Sequence, residues 1–332
     1  MSHLTSRTIS AALLALGLLA FADSLRWVGA RFPGFFVLPN RVVASVGLPD
    51  WSGRADGRAP YQAVLLSIND QPIADGDDAL RRVAAYAPTD AISYQLVRNG
   101  TLDRRDFVLH RLDWRTHGLI FGAYLLSGFA YLLLAIYAAE RWTQHALFPA
   151  LAMFGWTTAL YALTGIDIYN AAHMFRLQAL AEALLPAAAT HLALVYPTDR
   201  RGGRRGLLTL VYGIAGALTV IYQLFLYDPA VYSVVHNLCQ ALVAVPLIGF
   251  AIGLGLSLDM PPIELGQVGL QRCLAGTLIG FVVPALVLGI SGASGGIVPV
   301  NVTGWFTCAF PLTWLATLWQ RSATPLRVAT AA

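Results

Sequence analysis

Glu182 is the residue best placed to do chemistry. It is the only carboxylate well inside a long apolar segment, Leu177–Tyr196, which it shares with Pro186 and His191. An ionisable group at membrane depth is costly and marks a functional site by default. Pro186 has no amide to give the Glu182 carbonyl, so the helix is free to kink there and open a ligand pocket. The alternative is a protonated Glu182 bonded to a neighbouring helix. His191 is no local partner: nine residues on, about 900° of rotation carries it to the opposite face. His191 and His236 fall near opposite ends of their segments, so they cannot share one iron, and both read as packing or interface histidines. Gly289-Ile290-Ser291-Gly292 flanks a serine with glycines, but no histidine follows it to act as a base. No HExxH, P-loop or Cys/His cluster occurs, and Cys239, Cys273 and Cys308 lie in apolar segments without CxxC spacing. The expectation is a non-enzymatic protein with no catalytic residue, no metal and no cofactor.

The elements that must hold these residues are mostly lipid-type helices. The chain of 332 residues is 57% hydrophobic and only 12% charged, about half the charge of an average soluble domain. Of its 40 charged residues (22 basic, 18 acidic), 21 lie between Arg31 and Arg115. One soluble island and a hydrophobic remainder follow from that. There is no lysine, only arginine, which looks like the codon bias of a GC-rich bacterial genome. The island itself is nearly neutral, with 11 Arg against 10 Asp, so nucleic acid is not an expected partner.

A spanning helix needs about 20 apolar residues. Seven segments qualify after Arg115: Gly118–Ala138, Ala146–Gly165, Leu177–Tyr196, Leu207–Tyr227, Leu238–Leu258, Cys273–Ser291 and Val298–Trp319. The N-terminal segment makes eight. Residues 1–30 read as a transmembrane anchor, with a signal peptide cleaved after Ala20-Phe21-Ala22 as the alternative. Arg141, Arg200, Arg201, Arg204, Arg205, Arg272, Arg321 and Arg327 all fall on one side, while the loops between the later spans on the other side carry only Arg176. The positive-inside rule then puts residues 31–115 outside and the tail 321–332 in the cytoplasm. The expected architecture is a polytopic α-helical membrane protein: about eight spans, a bundle over 116–320, and one small α/β extracytoplasmic domain.

Within the island, Val64–Ile68 reads as a strand and INDQP as a turn. A helix over about 77–86 follows, then strands at Ile92–Val97 and Asp106–His110 around Asn99-Gly100, a strong hairpin signal. The run APYQAVLLSINDQPI, DALRRV and DAISYQLVRNGTLDRRDFVL resembles the second half of a bacterial PDZ domain, with Ile68-Asn69-Asp70-Gln71-Pro72-Ile73 as its turn and Arg98-Asn99-Gly100 as its hairpin. Tyr61-Gln62 stands where the family has Gly-Asp, and Val46-Gly47-Leu48 is the only counterpart of its carboxylate loop.

The resemblance implies a peptide groove, because PDZ domains bind by adding a strand to a sheet edge. Arg41 would meet a terminal carboxylate, Val46, Gly47 and Leu48 would offer amides, and Leu80 and Val83 would line the side-chain pocket. A degenerate PDZ fold used only for docking is the other expectation. With THLALVYPTDRR (190–201) at a helix end, the whole arrangement also resembles the N-terminal halves of some bacterial membrane receptor kinases and cyclases. That resemblance implies an inner-membrane receptor or scaffold with three partners: lipid, an extracytoplasmic protein or peptide, and a membrane or cytoplasmic protein that carries the signal onward. An accessory subunit of a respiratory or photosynthetic complex, and a transporter, are the rival expectations.

Overall fold

The computed structural model describes residues 3–48, 51, 60–87, 90–98, 100–169, 173–197, 205–262, 265–287 and 300–323. Most of the arginine-rich loop 197–206, Asn99, Gly289–Gly292 and the tail from 324 lie outside the described residues.

The island forms a four-stranded antiparallel sheet with order β3-β2-β4-β5. β2 is Val64–Ile68, β3 Gln71–Pro72, β4 Ala91–Arg98 and β5 Thr101–Val108, and α2 (Gly76–Ala85) crosses between β3 and β4. Each element follows from its local chemistry. The turn at Asn69 (φ 49°) and Asp70 (φ 62°) has two left-handed residues, the twist a two-residue hairpin requires. Asn69 Oδ1 accepts the Ser93 amide at 2.9 Å, and Asp70 takes Gln95 and Arg104 at 2.7 and 3.0 Å, tying the turn to β4 and β5. Asp75 caps α2 by accepting the Asp78 amide at 2.8 Å, and Asp78 accepts the Ala74 amide in return. Strand alternation buries Ile92, Tyr94 and Leu96 beneath α2, where Ala79 and Val83 complete a core with Phe35, Val43 and Phe107.

A second pair of short strands, β1 (Arg31–Phe32) and β6 (His110–Arg111), joins the two ends of the island antiparallel. The chain therefore leaves and re-enters the bundle at one place.

The bundle begins with α1 (His3–Ser24), which packs on α4 (Ala123–Glu140) and α5 (Leu147–Gly165). Trp156 of α5 donates to Ser10 of α1 at 3.1 Å, and Ser24 meets buried His117 at 3.0 Å. A short helix, α3 (Trp114–His117), and a π turn lead into α4 as one continuous span. α6 (Phe175–Val195) packs on α5, α7 (Arg205–Phe225) and α8 (Pro229–Leu256), and α9 (Gly266–Thr277) continues to Val287. Seven helices among the described residues are long and apolar enough to cross a membrane, which marks a multi-pass helical membrane protein.

The eighth expected span, Val298–Trp319, does not form as one helix. A single turn, α10 (Gly304–Thr307), ends at Cys308 and α11 (Ala309–Ala323) restarts. Pro311 has no amide to donate to the Thr307 carbonyl, so the ladder cannot run through. Together the two pieces still run the depth of the bundle, from Trp305, which donates to the Leu119 carbonyl at the island-side end, to Arg321, which donates to the Leu265 carbonyl at the start of α9. α11 packs against α9 and α4.

Two GxxxG pairs of identical spelling behave differently. A Cβ on Gly276 would lie 1.9 Å from Thr313 Oγ1 and one on Gly280 2.9 Å from the Phe310 amide nitrogen, so this pair lets α9 and α11 touch. Among the described residues no atom of another element lies within 4 Å of where a Gly249 Cβ would be, and a Gly253 Cβ would meet only Pro197. Gly280→Leu should therefore destabilise by about 1–3 kcal/mol through overpacking, while Gly249→Leu should be neutral or slightly stabilising, since glycine is a poor helix former. Thermal unfolding of the two variants in detergent separates them; equal losses would mean that the α9–α11 contact is not close.

Candidate functional site

Glu182 is buried at 4% exposure and has partners on two helices. Tyr222 of α7 donates its hydroxyl to Oε2 at 2.8 Å, and Gln240 of α8 donates to Oε1 at 3.0 Å. His236 of α8 brings Nδ1 within 2.7 Å of Oε1, close enough for an ion pair but off the line of a good hydrogen bond. Gln240 also reaches the Tyr161 hydroxyl of α5 at 3.3 Å. Tyr232 stacks on the His236 ring at 5.5 Å and 13°. The carboxylate is thus the hub of a network drawn from α5, α6, α7 and α8. Such a network is stabilising only while each buried member keeps its partner.

The helices position this hub by depth. Glu182 is seven residues into α6 from Phe175, and His236 is seven residues into α8 from Pro229. Both therefore sit about 10 Å from the island-side end of the bundle. Asp228 caps α8 by accepting the Ala230 and Val231 amides, which fixes where that count begins.

A cavity of about 90 Å³ opens beside the pair. Tyr124, Tyr161, Tyr169, Tyr232 and Gln178 line it from the bundle, while Leu38, Val42–Val46 and Gln62 line it from the island. Tyr124 and Tyr169 are hydroxyl to hydroxyl at 3.2 Å. Gln62, exposed and 3.5 Å from Ser45 Oγ, stands at the rim. Nearby, but not lining the cavity, Asp167 accepts the Met174 amide at 2.7 Å, and burial pushes its carboxyl above the usual range.

The island is seated on the bundle around this cavity. Phe36 stacks on Tyr169 at 4.8 Å and meets Phe121 and Trp51 edge-on. Asn40 donates to the Leu226 carbonyl at the end of α7, and Asn301 accepts the Gly47 amide at 3.1 Å. Trp27, Phe32, Leu112, Leu163, Phe175 and Tyr222 belong to the same buried cluster.

The residues expected to form a peptide groove are not brought together. Arg41 (φ 69°) is the turn of a tight hairpin in which Leu38 donates to Val42 and Val37 pairs with Val43. That hairpin pairs in turn with β2, through Val42 and Val64, and so covers part of the β2 edge that β4 leaves open. Val46 is buried in the cluster shared with the bundle, with Leu48 and Leu80 packed against it. Gly47 spends its amide on Asn301, and a side chain there would collide with Tyr61. Val83 faces the island's own core. α2 sits directly on the hairpin, with the Leu38 carbonyl 2.6 Å from where a Gly76 Cβ would be. Gly76→Ala should accordingly destabilise the island by about 1–3 kcal/mol, read as faster limited proteolysis between residues 31 and 115; unchanged proteolysis would mean that α2 is not seated there.

Of the three intramembrane candidates, only Glu182 is in the hub. Pro186 is buried one turn further along α6, and His191 contacts Tyr212 of α7 at 3.0 Å, away from the pair. His236, Tyr222, Gln240 and the tyrosines are additions made by the structure. Matching the depths of Glu182 and His236 was the one signal in the sequence that would have paired them. No group of three or more His, Cys, Asp or Glu among the described residues is arranged to hold a metal.

No family model matches the chain, and no curated protein or solved structure matches it either.

Proposed function

We propose that this is a receptor-like membrane protein in which a PDZ-like module senses on one side of a bacterial inner membrane and the bundle relays to a separate protein. The observation that carries the proposal is the shared cavity. Val42–Val46 of the module and Glu182 and His236 of the bundle line one space, so whatever fills it touches both parts at once. A ligand shifts a conformational equilibrium only through differential contacts with its states, and a site at a junction has them. Docking through Phe36, Asn40 and Gly47 also favours coupling over free peptide capture. The module is then a docked sensor rather than a detached peptide binder.

Two measurements test this. The arginine asymmetry supports an outside module, so Gln71→Cys, at an exposed turn, should be labelled by impermeant maleimide on intact cells. Thr143→Cys, exposed between α4 and α5, should not. The inverse pattern would turn the topology over. Purification from native membranes with cross-linking mass spectrometry should then recover a cytoplasmic signalling protein at the α4–α5 end. Stoichiometric recovery inside a respiratory or photosynthetic assembly would instead make the chain a subunit of that assembly.

A further inference from the structure

We infer that the cavity beside Glu182 is a binding site for a small organic cation, an alkylammonium group whose charge is met by the Glu182 carboxylate and whose carbons lie among tyrosine rings. This deepens the receptor-like reading by naming its ligand class, and it rests on that reading for its purpose but not for its test.

Three observations converge. First, among the described residues Glu182 is the only acidic side chain lining the cavity and no arginine lines it, which leaves His236 as the one basic group beside the carboxylate there. Second, four of the lining residues are tyrosines, and aromatic faces attract ammonium groups most strongly where water is excluded. His236 already occupies such a position, stacked on Tyr232 and within ion-pair distance of Glu182. An ammonium group entering the cavity would compete with the His236 ring for this place beside the carboxylate. Third, the size fits. A cavity of about 90 Å³ is smaller than the roughly 150 Å³ that holds benzene, which limits the guest to a few heavy atoms. Its rim at Gln62 and Ser45 gives a polar entrance from the module side.

The test uses the full chain in detergent and isothermal titration with n-butylammonium chloride and its neutral counterpart 1-butanol. The ammonium ion should bind about ten- to a hundredfold more tightly than the alcohol, the margin of one charge-assisted contact. Glu182→Gln should remove that margin. His236→Gln, which deletes the competing cation, should bind the ammonium ion as tightly as the native chain or more so. Equal binding of ammonium and alcohol to the native chain overturns the assignment even if the Glu182 variant fails to fold. So does ammonium binding that survives Glu182→Gln, or that is lost in His236→Gln. Ammonium binding with no cytoplasmic partner recovered would leave the site standing and remove the receptor-like reading alone.

Discussion

Replacing Glu182 with leucine should destabilise the bundle by about 3–5 kcal/mol, the cost of removing one member of a buried charged pair. The loss comes from what is left behind. His236, the Tyr222 hydroxyl and one Gln240 donor all face the carboxylate, and each would be stranded in a low-dielectric interior. A double-mutant cycle with His236→Leu isolates the pair. If the two groups interact, the double variant should lose less than the sum of the single losses. Strict additivity, measured by reversible unfolding in mixed micelles, would show that the 2.7 Å approach of Nδ1 to Oε1 carries no net energy. Tyr222→Phe deletes only one hydrogen bond and should cost about 1.5–3 kcal/mol, the range for a bond to a charged acceptor.

Phe36→Ala should separate the module from the bundle. Phe36 is 1% exposed and touches Trp27, Phe32, Trp51, Phe121 and Tyr169. Truncating a buried phenylalanine costs about 3–5 kcal/mol, and here the loss falls on the seam between two parts that also have cores of their own. The module's core is built on Val43, Leu65, Tyr94 and Phe107, and that of the bundle on Tyr131, Phe154, Phe310 and Trp314. The expected result is therefore selective. Hydrogen exchange should rise at Phe36–Ala44 and at Gly47, whose amide donates to Asn301 across the seam, while β4 and β5 keep their protection. Uniform loss of protection would mean that module and bundle do not unfold separately, and no change would mean that the aromatic seam is not what holds them.

How far the sequence reaches differs between the elements and the site. The strand Val64–Ile68, the helix near 77–86 and the hairpin through Gly100 follow from local rules: alternation of two, a capping aspartate, and a residue suited to positive φ. Those rules act over a few residues, so a single sequence carries them. The span over Val298–Trp319 shows their limit. Hydropathy sums over the segment and is blind to the one missing amide at Pro311 that splits it. The GxxxG pairs show the same limit for packing, since Gly276-x-x-x-Gly280 meets a helix and Gly249 meets no other element among the described residues.

The site divides along the same line. By itself the sequence determined that the chain is a helical membrane protein, that a small α/β island interrupts it, and that Glu182 lies alone among apolar residues at a depth where a charge needs an answer. Composition and spacing decide these because hydration is a property of each residue in turn. Only the tertiary structure decided what answers Glu182. His236 lies 54 positions away and Tyr222 40, on helices whose facing sides are set by how three cylinders rotate against one another. It likewise decided that Val46 and Gly47 are seated against the bundle. Part of the island's β2 edge is covered by its own hairpin, and the aromatic rings at its base lose more water against the bundle than they would standing free.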